Sequence, residues 1–123
     1  MKKLEYIKKL KGDASFRKFF RKKNKEKSSI IVYAKKEKRK NLLIYDSINR
    51  VLNKNNILAP KLYKENYKKD FIVIQDFGDE TIFEIFKKYS NKKLQYFRKI
   101  IKLLIKIQSI KNKNIKNFKK KKF

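Results

Sequence analysis

The stretch GDASFRKFFR (Gly12–Arg21) places one of the chain's two glycines between segments of extended character. Two runs are rich in β-branched and aromatic residues, namely Phe16–Lys22 and Ser28–Lys35. The polar segment Lys23–Lys27 separates them. This pattern is typical of two strands joined as an antiparallel hairpin. We expect the second strand to be the more buried, and the glycine to let the backbone turn sharply before the first.

The segments around this hairpin predict three further strands and a helix. Leu4–Lys11 fits a helix by its apolar spacing and a strand by its Tyr and Ile residues before a glycine turn. Apolar residues at intervals of three and four predict a helix over about Lys38–Asn55. Short strands are predicted around Lys61–Lys64 and at Phe71–Gln75.

Beyond Gly78 the apolar residues follow the period of helices. A short helix is predicted after the acidic turn Asp79–Glu80. A second helix, over about Lys92–Ile110, carries apolar residues over more than a narrow stripe, which predicts burial on more than one side. We expect Phe97, Ile101, Leu104 and Ile105 to leave an apolar patch that the small sheet cannot cover. The last segment, Lys111–Phe123, alternates lysine and asparagine and predicts a disordered tail.

The composition excludes several classes of function. The chain has 123 residues, enough for one small domain, and it contains no cysteine and no histidine. It therefore has no disulfides, no zinc site of thiolate or imidazole ligands, and no Ser-His or Cys-His nucleophilic pair. No apolar run approaches the roughly 18 residues of a membrane helix, and no signal sequence is recognisable. We expect a soluble, cytoplasmic protein without a membrane span.

The formal net charge of +27 predicts nonspecific binding of polyanions at low salt. The lysines are scattered through every predicted element, however, and accompany many Ile and Asn residues, which an AT-rich coding bias also produces. Arginine, which makes bidentate phosphate and guanine contacts, is scarce beside lysine. This distribution favours a solvated basic surface over a dedicated nucleic-acid interface.

The run GDASFRKFFR resembles the phosphate-covering loop of the aminoglycoside-phosphotransferase-like kinases. Within that superfamily it is most similar to the sugar kinases that phosphorylate the anomeric position of N-acetylmuramate or N-acetylglucosamine. The likeness continues, in the family's order, through SSIIVYA (Ser28–Ala34), ILAPKLY (Ile57–Tyr63) and FIVIQDFGDET (Phe71–Thr81). The resemblance ends at about Gln108.

The resemblance implies an α+β fold, the N-terminal lobe of a protein-kinase-like structure. Such a lobe has about five antiparallel strands with one packed helix, here followed by two helices, and this favours the strand for Leu4–Lys11. The implied organisation is a nucleotide-side lobe at 1–78, helices at 79–110 that link to a catalytic lobe, and the Lys/Asn-rich tail at 111–123.

The resemblance also implies an ATP site. The phosphates would be bound by the turn at Gly12, whose lack of a Cβ admits close approach, and by N–H and hydroxyl groups that follow it. The Asp-Phe-Gly run at Asp76–Gly78 matches the family's adenine hinge by position, and not the magnesium motif of protein kinases. The implied nucleotide-binding residues are Gly12, Asp13, Ala14, Ser15, Gln75, Asp76 and Phe77.

One expected part of that site has no counterpart. The strand Ser28–Ala34 contains no lysine of the kind that clamps the α- and β-phosphates in kinases. Either Glu37 or Asp46 could be the helix carboxylate that pairs with such a cation. The alternative is that both lie on a solvated helix face. The nearby cations that remain open for the role are Arg17, Lys18, Lys35 and Lys36.

No catalytic or metal-binding residue is assigned. Phosphoryl transfer in this superfamily needs an aspartate near the acceptor hydroxyl, and an aspartate and an asparagine on magnesium. No Asp or Glu follows Glu84 in this chain. We therefore expect a truncated, inactive part of a small-molecule kinase, whose catalytic lobe and magnesium site are lost or encoded separately.

A small basic nucleic-acid-binding module is the alternative. In it, sheet aromatics between lysines would stack on single-stranded bases. The candidate aromatics are Tyr6, Phe16, Phe19 and Phe20, although such residues are more typical of a core.

Overall fold

The computed structural model describes residues 5–12 and 16–111. It has an α+β fold in which five strands form one antiparallel sheet, and three α-helices occur among the described residues. The elements in chain order are β1 (Tyr6–Lys9), β2 (Arg17–Lys23), β3 (Ser28–Ala34), α1 (Lys40–Lys54), β4 (Leu62–Asn66), β5 (Phe71–Gln75), α2 (Ile82–Lys88) and α3 (Lys93–Gln108). The predicted tail at 111–123 lies, apart from its first residue, outside the described part of the chain.

The five strands are ordered β1-β2-β3-β5-β4, and each neighbouring pair is antiparallel. The predicted hairpin of β2 and β3 is confirmed, with Phe19 opposite Val32. The ambiguous N-terminal segment forms a strand, since β1 pairs with β2 over its whole length. The register of β4 against β5 shifts between Leu62 and Lys64, which marks a bulge.

Alternation of side chains gives the sheet two unlike faces. The inner face of β3 and β5 is buried, and Leu42 of α1 belongs to the same apolar cluster. Tyr45, one turn along α1, packs against this cluster with its ring 6.2 Å from that of Phe19. The residues of the buried cluster are Ile30, Val32, Ala34, Leu42, Ile72 and Ile74.

Helix α1 ends where the asparagine pair predicted it to end. Asn55 caps the last turn, because both its N–H and its side-chain amide donate to the carbonyl of Val51. Asn56 then takes a left-handed conformation, with φ of 59°, which asparagine tolerates better than most residues. The N–H of Ile57 turns back to the carbonyl of Leu52 and closes the helix end.

The chain divides into two compact units. The first contains the described residues of 1–50 and 59–76, which hold the sheet and most of α1. The second contains 51–58 and the described residues from 77 onward, with α2 and α3. The end of α1 thus groups with the later helices.

Within the second unit, α2 begins at a capped turn and packs on α3 through aromatic rings. The hydroxyl of Thr81 accepts the N–H of Glu84. The ring of Phe86 lies 4.9 Å from that of Phe97 and 6.4 Å from that of Tyr96. These ring contacts involve only Tyr96 and Phe97 of α3.

The prediction that α3 is buried on more than one side is wrong. None of its residues is buried, and Leu94, Ile101 and Ile105 are each more than half exposed. Apolar spacing reports the amphipathic character of a helix, and it does not report whether a covering surface is present. No helix in the described ranges has the length and apolar character needed to cross a membrane.

Candidate functional site

The predicted phosphate-binding turn lies in the connection between β1 and β2. Of its four residues, Gly12 is described, whereas Asp13, Ala14 and Ser15 lie outside the described residues. The strand pairing continues to Leu10, whose N–H donates to the carbonyl of Phe19 at 2.9 Å. A Cβ built on Gly12 would meet no described atom within 4 Å, and Gly12 is not in the left-handed region. The packing of the described residues therefore does not explain the glycine.

The predicted hinge residues Gln75, Asp76 and Phe77 follow one another at the end of β5. Gln75 lies opposite Ser29 in the sheet, and its N–H donates to the carbonyl of Lys61 at 2.9 Å. The side chain of Phe77 is exposed, and its backbone N–H and C=O make no hydrogen bond with another described residue. Gly78 has a φ of 84°, a conformation that favours glycine.

The carboxylate of Asp76 is held within the first unit by two other strands. The guanidinium of Arg21 on β2 donates to both its oxygens, at 2.7 and 3.1 Å, and the hydroxyl of Ser28 on β3 donates to it as well. Both members of the ion pair are largely buried. Sequence reasoning missed this cluster, because nothing local links residues that far apart in the chain.

The cations Arg17 and Lys18 lie on opposite faces of the sheet. Arg17 pairs with Ala34 on the inner face, and its guanidinium lies 4.9 Å from the centre of the Tyr45 ring on α1. Lys18 pairs with Tyr33 on the outer face. The other candidate cations, Lys35 and Lys36, are exposed beyond the end of β3.

The two helix carboxylates that were candidates for pairing with a cation differ in environment. Glu37 is exposed in a short 3-10 turn before α1. Asp46 is buried in α1, where it accepts a hydrogen bond from the hydroxyl of Tyr67 at 3.1 Å and one from Nε of Arg50 at 3.0 Å. Asp46 thus ties α1 to the segment between β4 and β5. Among residues 5–12 and 16–111, no group of three or more Asp or Glu side chains is arranged to hold a metal ion.

The four aromatics of the nucleic-acid alternative do not share one surface. Phe19 packs into the core against Tyr45, whereas its neighbour Phe20 lies on the opposite face. Tyr6 is exposed on β1, and Phe16 is exposed beneath the ammonium of Lys38 at 4.2 Å. The prediction that these four aromatics form one stacking surface is therefore wrong. The outer face instead has a depression of about 390 Å³ lined by Lys18, Phe20, Ile31, Tyr33 and Phe71.

Comparison with models of protein families, with curated proteins and with solved structures found no match to this chain.

Proposed function

We propose that the first unit is the nucleotide-side lobe of an ATP-dependent small-molecule kinase similar to the aminoglycoside-phosphotransferase-like kinases. The observation that carries the proposal is the architecture: five antiparallel strands, one helix between β3 and β4 packed on the sheet, and a glycine in the connection between β1 and β2. These are the parts, in the chain order, that the resemblance implies. An amino sugar is the proposed acceptor class of the whole kinase.

The β1–β2 connection is the proposed phosphate-binding element. A Cβ at Gly12 would meet no described atom within 4 Å, and a residue without a Cβ lets the backbone approach an anion closely. Phosphate oxygens accept hydrogen bonds from such groups in turns of this kind. The residues of the connection bind and orient the nucleotide, and no proton transfer is assigned to them.

Arg17 is the proposed cation on the phosphates, in place of the lysine that β3 lacks. The inner positions of β3 are Ile30, Val32 and Ala34, and none carries charge. Arg17 lies directly across from Ala34 on the same face, and it follows the β1–β2 connection in the chain. A guanidinium can hold a phosphate by two parallel hydrogen bonds.

The segment after β5 is the proposed adenine contact. Gln75 already donates its N–H to Lys61, and the Asp76 carboxylate is held by Arg21. The first unit ends at Asp76, and the backbone at this end of β5 is the proposed group that pairs with the adenine edge. Asp76 acts as a strand tie and is not proposed to bind magnesium.

Nucleotide binding is the only part of the kinase reaction that we assign to these residues. In-line phosphoryl transfer needs carboxylates that hold magnesium and orient the acceptor. Among the described residues no three acidic side chains come together in a group that could hold a metal ion, and no Asp or Glu follows Glu84 in the sequence. We derive no catalytic step from this chain.

A titration with ATP, ADP and adenosine, with and without magnesium, tests the proposal. Calorimetry should give a dissociation constant for ATP in the high-micromolar to millimolar range, or about 4–6 kcal/mol, because few hydrogen bonds and partial burial are provided. The affinity should not depend on magnesium. Tight, magnesium-dependent binding, or no binding at all, would contradict the proposal.

Arg17→Met and Lys18→Met form a matched pair for the phosphate contact. The two residues are adjacent but lie on opposite faces of β2, so the variants change net charge equally. Arg17→Met should remove the affinity difference between ATP and adenosine, while Lys18→Met should retain it. An equal effect of both variants would show that the phosphates respond only to overall charge.

A further inference from the structure

The outer face of the sheet places aromatic and apolar side chains in two neighbouring rows. In the first row, Tyr33 of β3 lies between Lys18 of β2 and Phe71 of β5. In the second row, Phe20 lies beside Ile31. Rows on one face are about 6.7 Å apart along a strand. Tyr33 therefore lies beside Phe71 and diagonal to Phe20, and all three side chains line the depression on this face.

Lysines border this aromatic centre on three sides. Lys9 of β1 pairs with Phe20 at one end of the second row, and Lys64 of β4 pairs with Val73 at the other end. Lys18 ends the first row. Outward strand positions carry no Asp or Glu within the described sheet.

One corner of this face contains an ion pair. Lys22, in the row beyond Phe20, contacts the carboxylate of Glu5 at 3.1 Å. The charge of Lys22 is thus partly neutralised, whereas the three bordering lysines lie around the rings. The face combines a half-buried aromatic centre with a positively charged border.

We propose that this outer face binds single-stranded nucleic acid, with unpaired bases stacked on Phe20, Tyr33 and Phe71 and the phosphates beside Lys9, Lys18 and Lys64. Base stacking on sheet aromatics, with cations along the backbone, is a general mode of single-strand binding. An acidic peptide would use the lysines but leave the rings without a planar partner. A membrane surface is met by protruding apolar side chains, and these three rings are half-buried in a depression.

This site does not depend on the proposed nucleotide site. Alternation places its residues on the sheet face opposite to Arg17 and to the cluster packed on α1. Each site can therefore be removed by substitutions that leave the side chains of the other in place.

The test is the binding of a labelled oligothymidine of about 12 nucleotides, measured by fluorescence anisotropy at about 200 mM salt. Phe20→Leu, Tyr33→Leu and the double variant remove rings but retain apolar volume. The matched control is Phe83→Leu, an exposed aromatic on α2. Thermal unfolding followed by circular dichroism selects variants with wild-type stability.

The proposal predicts that binding persists at this salt concentration. Each ring removal should weaken binding by about tenfold, since each base stacked on a ring contributes to the affinity. Phe83→Leu should bind as the wild type does. Lys9→Gln should lower the salt dependence without removing binding.

Three outcomes would overturn the proposal. Binding that vanishes at this salt concentration would indicate only the general charge of the chain. An unchanged affinity of the Phe20 and Tyr33 double variant would exclude stacking. Equal competition by polyphosphate or polyglutamate, or by anionic vesicles, would assign the face to polyanions, acidic peptides or lipid surfaces instead.

Discussion

The guanidinium of Arg21 on β2 holds the carboxylate of Asp76, the first residue after β5, by two hydrogen bonds of 2.7 and 3.1 Å. The two residues are 55 positions apart in the chain, and β3 lies between their strands. The hydroxyl of Ser28 on β3 donates to the same carboxylate. Three strands thus meet at one carboxylate, directly before the segment proposed to contact adenine.

Replacement of Asp76 by alanine should strongly destabilise the protein. The side chains of Arg21 and Asp76 are only 11% and 8% exposed, so Asp76→Ala leaves a nearly buried guanidinium without its carboxylate. Removing one partner of a buried pair costs about 3–5 kcal/mol, and we expect the lower end of that range because both side chains keep some exposure. Urea unfolding provides the measurement, with the exposed Glu80→Ala as control.

The double variant Arg21→Met with Asp76→Leu tests whether the stability lost in Asp76→Ala comes from the unpaired charge of Arg21. Because it removes both charges together, it should recover much of the stability lost in Asp76→Ala. A loss below about 0.5 kcal/mol in Asp76→Ala would mean that the pair does not tie the strands.

Replacing the buried Asp46 should lower the free energy of unfolding more than replacing its hydrogen-bond partner Tyr67 does. Tyr67→Phe removes one hydrogen bond to the carboxylate and should lower the free energy of unfolding by about 1 kcal/mol. Asp46→Ala should cost more, because it also removes the acceptor of the Arg50 Nε–H. Tyr63→Phe is the matched control, since Tyr63 is exposed on β4. Equal effects of Tyr67→Phe and Tyr63→Phe would contradict the expectation.

Substitutions of Asn56 should change the stability of the protein because its backbone is in the left-handed conformation. Its φ of 59° penalises residues with a Cβ, and Asn is less penalised than Ala. Asn56→Gly should leave stability unchanged or raise it slightly, whereas Asn56→Ala should lower it by about 1 kcal/mol. Thermal unfolding of the two variants checks this order, and the reverse order would mean that the end of α1 differs from the structure.

The two glycines should behave differently. Gly78→Ala should destabilise by about 1–2 kcal/mol, because its φ of 84° is strained for alanine. Gly12→Ala should change stability by less than about 0.5 kcal/mol, because space is open and the conformation is an ordinary one. If the β1–β2 connection binds phosphate, Gly12→Ala should still weaken ATP binding in calorimetry. A marked loss of stability in Gly12→Ala would assign this glycine to the fold.

The regular elements were predictable because their signals are local. The β-branched and aromatic runs Ser28–Lys35 and Phe71–Gln75 predicted β3 and β5 to within a residue, and Asn55–Asn56 predicted the end of α1. The pairing of Arg21 with Asp76 was not predictable, because it depends on strand order and register.

The sequence identified the candidate site residues, but it did not predict which face of the sheet each of them occupies. Alternation shows that Phe19 and Phe20 lie on opposite faces, but the packing of α1 decides which of them is in the core. The same holds for Arg17 and Lys18, which appeared equivalent as cations in the sequence. The apolar patch expected on α3 is exposed at Phe97, Ile101, Leu104 and Ile105.

Backbone amide NMR during an ATP titration tests whether the first unit binds ATP. We expect saturable shift changes at Gly12, Arg17 and Asp76, with a dissociation constant in the high-micromolar to millimolar range. Phe20 and Tyr33 on the outer face should be unaffected. Saturable changes confined to Phe20 and Tyr33, or no saturable change at any residue, would contradict the claim that this lobe binds ATP between its glycine turn and the end of β5.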